Sequence, residues 1–272
     1  MMGRALITGA AGGVGEALAK RLSREGYTLV LTDRDGDTLE KVSDALPQPA
    51  ELLVADLRSE VGLKQLCDRL ENPKSPIDLL INNAGIIVPG PVGSLPNDLM
   101  RAHVDINLTA PMVLCAAAAR AMIARKKGYI FSIMSLAAIG PMKNSASYCG
   151  SKFGLRGFKA ALALELEPHG VGVGGLFPSA IDTPMLAAEM ASPDGSPLNF
   201  IGNVKPLTPD QIADHVVKAM NKGRLETWLP KSDGFMASLM MMFPKLLKPV
   251  VGYLELQGEK KKQDYLKTLK SS

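Results

Sequence analysis

The chain has few cysteines, few histidines, no marked excess of charge of either sign and no long apolar run. Its 272 residues include three cysteines, Cys67, Cys115 and Cys149. Their odd number and lack of metal-ligand spacing exclude a disulfide framework and predict reduced thiols in a cytosolic protein. His103, His169 and His215 are scattered, so no metal site is expected. Basic residues number 31 and acidic residues 27, for a net charge of +4. A nucleic-acid binder needs a denser basic face, so no nucleic-acid partner is expected. No uncharged apolar stretch reaches the roughly 18 residues a membrane-spanning helix requires. The most tempting piece, FMASLMMMF at 235–243, stops at Pro244. The opening MMGRALITGAAG has one arginine and no apolar run before its glycines, so it does not read as a signal peptide. A cytoplasmic location is the expectation.

What is present is ordinary globular usage: 46% hydrophobic residues, 21% charged residues and 26 glycines. This length fits one α/β domain with a substantial core. Short β-rich runs alternate with helical patterns. The runs RALIT (4–8), TLVLTD (28–33), ELLVADL (51–57), DLLINNAG (78–85), YIFSIMS (129–135), VGVGGLF (171–177) and LETWLP (225–230) read as strands or strands with their exits. Helices are expected over 14–26, 35–46, 59–70, roughly 98–127, 146–168 and 209–223. Strands alternating with helices imply βαβ units. Right-handed crossovers then place helices on both faces. The expected fold is α/β: a single doubly wound parallel sheet of about seven strands. The stretch 178–208 is proline-rich with little periodicity, which suits a substrate lid with short helices of its own.

The first strand runs into TGAAGGVG, with glycines at 9, 13 and 15. Such a turn lets the backbone approach a pyrophosphate, whose charge then sits at a helix N-terminus. Asp33 closes the second strand, where a dinucleotide fold places a carboxylate on the adenosine ribose. A carboxylate there repels a 2′-phosphate, whereas the adjacent Arg34 would attract one. NAD is the preferred cofactor and NADP the alternative. Tyr148 and Lys152 stand four apart and share a helix face. Only one of the five tyrosines has a lysine at that offset. Ser135, 13 residues upstream, ends a strand at the carboxyl edge of the sheet, the edge where open α/β sheets bind ligands. Asn82 and Asn83 end the fourth strand at the same edge, and Asn107 lies in the helix between.

In that order and spacing, these residues resemble the classical short-chain dehydrogenase/reductases. The resemblance covers residues 3 to about 230. Its elements are TGAAGGVG, Asp33, Asp56 with Leu57, NNAG at 82–85, Asn107, Ser135, and Tyr148 with Lys152. It implies a Rossmann-type domain over 1–230. It implies that Gly9, Gly12, Gly13, Val14, Gly15, Asp33, Arg34, Asp56, Leu57, Asn83, Ala84 and Gly85 bind the dinucleotide, with Asp56 on the adenine amino group. Pro178, Ile181 and Thr183 would contact the nicotinamide carboxamide. Tyr148 would be the general acid/base, Lys152 would lower its pKa and hold the nicotinamide ribose, and Ser135 would bind the substrate oxygen. Asn107 would support a water-linked proton relay. The sequence departs from the family at Pro178-Ser179, where Pro-Gly is common. The family's dimers and tetramers, and the alanine run 116–119, lead us to expect a homodimer or homotetramer.

Beyond Pro230 the pattern fades into an apolar, Met-rich extension, 231–272. Three readings compete: a cover over the substrate pocket, a subunit contact, or peripheral contact with a membrane, its lysines reaching headgroups. With Met185, Leu186 and Met190 in the lid, the tail points to a small hydrophobic substrate, a secondary alcohol or ketone of steroid, terpenoid or lipid origin. A 3-oxoacyl-thioester reductase using NADPH is the alternative, with Arg125, Lys126 and Lys127 holding an acidic carrier. A catalytically silent nucleotide-binding regulator is the alternative from outside enzymology.

Overall fold

A computed structural model describes residues 3–201 and 205–271. Chain order is β1 (Gly3–Thr8), α1 (Gly13–Arg24), β2 (Tyr27–Asp33), α2 (Gly36–Asp44), β3 (Glu51–Val54), α3 (Glu60–Leu70), β4 (Leu79–Asn82), α4 (Asn97–Val104), α5 (Ala110–Arg125), β5 (Gly128–Ile133), α6 (Ala146–Leu166), β6 (Val171–Pro178), α7 (Pro184–Ala191), α8 (Pro209–Asn221), β7 (Thr227–Leu229), α9 (Lys231–Met242) and α10 (Pro244–Ser271). Local chemistry sets several starts. Asp35 and Ser59 cap α2 and α3 by accepting the Thr38 and Gly62 N–H groups. Thr208 and Gln211 close a reciprocal capping box on α8, the kind of cap worth about 1 kcal/mol.

The seven strands form one parallel sheet in the order β3-β2-β1-β4-β5-β6-β7. It is the expected doubly wound sheet. The strand order reverses between β1 and β4, which opens a crevice at their carboxyl ends. One core lies between the sheet and α1, α2 and α8, with Leu18, Leu22, Leu39 and Val216. The other lies under α3, α5 and α6, with Leu66, Leu114, Met122 and Leu162. Ala117, Ala118 and Ala119 belong to this second core, so most of the alanine run is consumed within the protomer rather than offered to a partner.

The helical stretch from 97 to 125 is not one regular helix. Residues Asp105–Thr109 wind as a single π turn between α4 and α5. Together they are long and apolar enough to cross a membrane, with a mean hydropathy of 1.5. Half of that stretch is buried, packed against α3 and α6, as befits a core helix. At the far edge of the sheet, Arg156 of α6 forms a two-pronged pair with Glu226 before β7, at 2.8 and 2.9 Å. Lys159, buried on the same helix, donates to the Leu225 carbonyl at 2.7 Å. These contacts lock α6 against the β6–β7 edge.

Candidate active site

A cavity of about 1040 Å³ opens at the carboxyl edge of the sheet. Its first wall is the glycine turn. Gly9 has φ +66°, and a Cβ there would lie 2.7 Å from the Ala84 Cα, so only glycine fits. Gly12 caps α1 with no side-chain hydrogen bond, so no side chain claims the first N–H groups of the helix. Gly12, Gly13, Val14 and Gly15 face the cavity with those donors at the positive end of the helix dipole. This cradle fits a pyrophosphate.

Asp33 and Arg34 continue the wall at the end of β2. One Asp33 oxygen accepts the Ala11 N–H at 3.1 Å, and the other accepts the Arg34 N–H at 2.8 Å. The carboxylate therefore braces the glycine turn, and with about four acceptor positions it retains room for a ribose hydroxyl. Asp56 and Leu57 follow β3, and Asn83, Ala84 and Gly85 follow β4, all on the same cavity. Asp56 accepts the Arg58 N–H at 2.8 Å. The Asn83 amide donates to the Thr8 and Gly9 carbonyls, each at 3.0 Å. Its side chain fastens the glycine turn to β4. Asn82 is buried and donates to Cys115 Sγ at 3.2 Å, outside the cavity lining.

Ser135, Tyr148 and Lys152 line the same cavity. Ser135 follows β5, and its hydroxyl hydrogen-bonds the Tyr148 phenol while accepting the Ala137 N–H at 3.1 Å. Lys152 lies one turn along α6, buried, with Nζ 5.8 Å from the Tyr148 ring centroid and 3.4 Å from the Ile133 carbonyl. Asn107 is fully buried in the π turn. It accepts the Ile86 N–H and donates to the Ile86 carbonyl, both at 2.9 Å, and donates to Ser151 Oγ at 3.2 Å. Asn107 thus joins the loop after β4 to α6 at Ser151, between Tyr148 and Lys152. A Cβ on Gly85 would stand 3.3 Å from Asn107 Oδ1 and 3.4 Å from Lys152 Nζ, which places the three residues side by side.

Burial sets the electrostatics. It pushes the Tyr148 phenol above its ordinary pKa, while the Ser135 hydrogen bond pulls the other way. It lowers Lys152 to about 8. Both shifts are the desolvation penalty on a charged form.

Pro178, Ile181 and Thr183 lie at the exit of β6 on the cavity wall. Ser179 donates its N–H to the Leu229 carbonyl at 2.8 Å, and its φ is not positive, so the turn holds a serine without backbone strain. Thr183 caps α7 by accepting the Leu186 N–H at 3.3 Å. The stretch between β6 and α8 contains α7 and a short 3₁₀ turn, Pro197–Phe200. Met185 and Leu186 line the cavity, whereas Met190 lies outside its lining. The tail completes the lining: Met236 and Met240 of α9, which packs against the turn after Ser135, and Val251 and Leu254 of α10.

Three buried polar positions around the site escaped the sequence. His103 is fully buried, accepts the Val88 N–H at Nε2 and reaches Ser147 Oγ from Nδ1, each at 2.9 Å. The first bond puts its proton on Nδ1, and burial lowers its pKa, so the ring is neutral. It meets the Tyr148 ring edge-on at 6.1 Å. Glu189 of α7 is a buried carboxylate on the cavity wall, held by Asn199 Nδ2 at 2.8 Å and raised in pKa by burial. Lys262 of α10 is buried and donates to the Pro193 and Gly195 carbonyls at 2.6 and 2.7 Å. A histidine, a glutamate or a lysine in a helical pattern carries no mark of such burial.

The remaining candidates do not join the site. Arg125 bonds Asp78 at 3.1 Å and the Ile77 carbonyl at 2.7 Å, and Lys127 lies 3.6 Å from Asp78. Asp78 precedes β4, so this basic cluster sits at the amino edge of the sheet. Cys67, Cys115 and Cys149 are free thiols. No group of three or more potential metal ligands occurs among the described residues.

Known proteins share this architecture. The family model for short chain dehydrogenase matches residues 4–194. A 1-deoxy-11-beta-hydroxypentalenate dehydrogenase of Streptomyces avermitilis is 33% identical over 228 residues, 81% of this chain and 82% of that protein. A short-chain dehydrogenase from Sphingobium yanoikuyae in complex with NADPH superposes with a TM-score of 0.75, at 27% identity, over 88% of this chain and 95% of that one. A bulky-bulky ketone specific alcohol dehydrogenase from Comamonas testosteroni gives a TM-score of 0.73 at 27% identity, over 84% of this chain and 86% of that one. With the family model matching well over half of its length, the chain belongs to the short chain dehydrogenase family.

Proposed function

We propose that the protein interconverts a bulky, largely apolar secondary alcohol and its ketone with a nicotinamide dinucleotide, NAD in preference to NADP. The observation that carries this reading is one cavity with two unlike kinds of lining. Ser135, Tyr148 and Lys152 supply polar, proton-handling groups, and Met185, Leu186, Met236, Met240, Val251 and Leu254 supply apolar surface. The bound dinucleotide supplies the hydride acceptor or donor. The residues that would hold it are the glycine turn, Asp33, Asp56, the Asn83–Gly85 loop and the exit of β6.

The chain's own residues handle the proton. The Ser135 hydroxyl binds the substrate oxygen. Tyr148 takes the proton from that oxygen during oxidation and returns it during reduction. The Lys152 ammonium favours the phenolate and so opposes the burial of Tyr148. Asn107 fixes the Ile86 backbone and Ser151 beside them. NAD preference follows from the Asp33 carboxylate, which accepts ribose hydroxyls and repels a 2′-phosphate. The Streptomyces and Comamonas relatives are named for a pentalenate and a bulky ketone, in keeping with a large apolar substrate. A 3-oxoacyl-thioester reductase fits less well, because its expected carrier-binding run lies at the opposite edge of the sheet and is partly neutralised by Asp78. A homodimer or homotetramer through α5 and α6 accords with the exposed Met112, Val113 and Leu164.

The test is an activity screen over hydrophobic secondary alcohols and ketones, with NAD and NADP compared at each substrate. Turnover of bulky apolar substrates with NAD is the expected result. Tight NADH binding with no turnover of any substrate would overturn it in favour of a silent nucleotide-binding regulator.

A further inference from the structure

Among the described residues, the helices that close the cavity and the elbow between them carry a large share of the exposed apolar side chains. On α9, Phe235, Leu239 and Met242 form one outward stripe at i, i+4 and i+7, exposed by 64%, 39% and 73%. Met236, Ala237 and Met240 of the same helix face the cavity. The apolar surface runs on through the elbow between α9 and α10, with Phe243 exposed by 52% and Leu246 by 51%. From Gly234 to Leu254 the only charged residues are Lys245 and Lys248, and both are exposed. No acidic residue interrupts this stretch.

We propose that this elbow is a membrane-docking surface that takes an anionic lipid leaflet. An apolar stripe edged by lysines matches the acyl boundary below and the acidic headgroups above. A second copy of this chain matches it less well. A twofold contact through the elbow would bury four lysines, two from each copy, in an apolar setting that offers no acidic partner between Gly234 and Leu254. An anionic leaflet attracts the same two lysines, each worth about fivefold in affinity near the surface. The inward faces of α9 and α10 form the cavity wall. If the proposed apolar substrate is correct, docking also places the cavity beside the phase in which that substrate dissolves.

The test is flotation of the full chain with two kinds of vesicle: phosphatidylcholine alone, and phosphatidylcholine with about a third phosphatidylglycerol. The wild type is expected to float with the anionic vesicles and to be released by salt. The Lys245→Glu/Lys248→Glu pair is expected to weaken binding at least about tenfold. Phe235→Ser with Met242→Ser and Phe243→Ser is expected to abolish it. All three positions point away from the cavity, so NADH binding and cooperative unfolding should be unchanged and report an intact fold. Failure of the wild type to float, or flotation of the serine variant as well as the wild type, overturns the proposal. Concentration-dependent self-association of the wild type without flotation, lost in the serine variant, also overturns it and assigns the elbow to a second copy. Flotation does not depend on turnover. Vesicle binding without activity on any alcohol therefore refutes the proposed reaction and leaves the docking surface standing.

Discussion

Lys152 Nζ stands 5.8 Å from the centroid of the Tyr148 ring, and both groups are pushed towards their neutral forms by burial. In the proposed reaction the ammonium would stabilise the phenolate, and the phenolate would stabilise the buried ammonium in turn. Tyr148→Phe is expected to lower kcat by about 10²–10⁴-fold, the range for losing a positioned acid/base. NADH affinity should be nearly unchanged, because the ring and its packing remain. Lys152→Met should lose turnover and weaken NADH binding as well, since the proposed role of Lys152 covers both the phenol and the ribose. Steady-state kinetics with fluorescence titration of NADH separates the two variants.

The hydrogen bond from Ser135 lowers the Tyr148 pKa against the rise caused by burial. In the proposed reaction alcohol oxidation needs the phenolate, so its rate is expected to rise with pH along a limb set by Tyr148. Ser135→Ala removes a stabilising donor from the phenolate, which raises that pKa and moves the limb to higher pH. A loss of about 10²–10³-fold in kcat should accompany it, as for removal of one oxyanion donor. A pH–rate profile of each protein checks this. A limb left in place would assign the titration to another group.

Asp33 tests cofactor choice. Asp33→Asn keeps an acceptor for the Ala11 N–H and removes the charge that repels a 2′-phosphate. The ratio of kcat/KM for NAD over NADP should fall by about 10–100-fold, the worth of one charged hydrogen bond. Thermal stability should change little. Initial rates with the two cofactors decide it.

The legible parts of the sequence were those where one local rule acts alone. Strand alternation and the glycine turn are local patterns, and the seven-stranded sheet follows from the first; the Tyr148–Lys152 spacing gained meaning only beside Ser135 and the glycine turn. The π turn at Asp105–Thr109 has no such signature; it exists because Asn107 bonds Ile86 across to the loop after β4. His103 looked ordinary because its burial depends on Val88 and Ser147, which are distant in sequence. The helix α10 was hidden by Pro244 and Pro249, yet Pro244 opens it and Pro249 lies within it. The role of Thr183 as a helix cap, and of Asn83 as a fastener for the glycine turn, likewise emerge only from packing.

Lys262 shows what α10 does for the cavity. Its ammonium is buried and satisfies the Pro193 and Gly195 carbonyls, in the middle of the segment that carries Glu189, Leu198 and Asn199. Gly258, one turn earlier, lets the helix approach so closely that a Cβ would lie 2.0 Å from the Pro197 carbonyl oxygen. Tyr265, one turn later, stacks at a tilt on Phe200 with centroids 5.6 Å apart. Lys262→Met leaves two carbonyls without their donor, at a cost of about 1–3 kcal/mol while they stay buried. The segment 192–201 should then exchange amide hydrogens faster, and KM for a bulky ketone should rise with little change in kcat. Exchange within α6 should hold at the wild-type rate, because Tyr148 and Lys152 are positioned by Asn107, Arg156 and Lys159 instead. Gly258→Val should produce a larger effect in the same direction, since its clash is with backbone rather than with a flexible side chain. Hydrogen-exchange mass spectrometry of both variants, read beside their KM values, distinguishes a lid held by α10 from one that stands unaided.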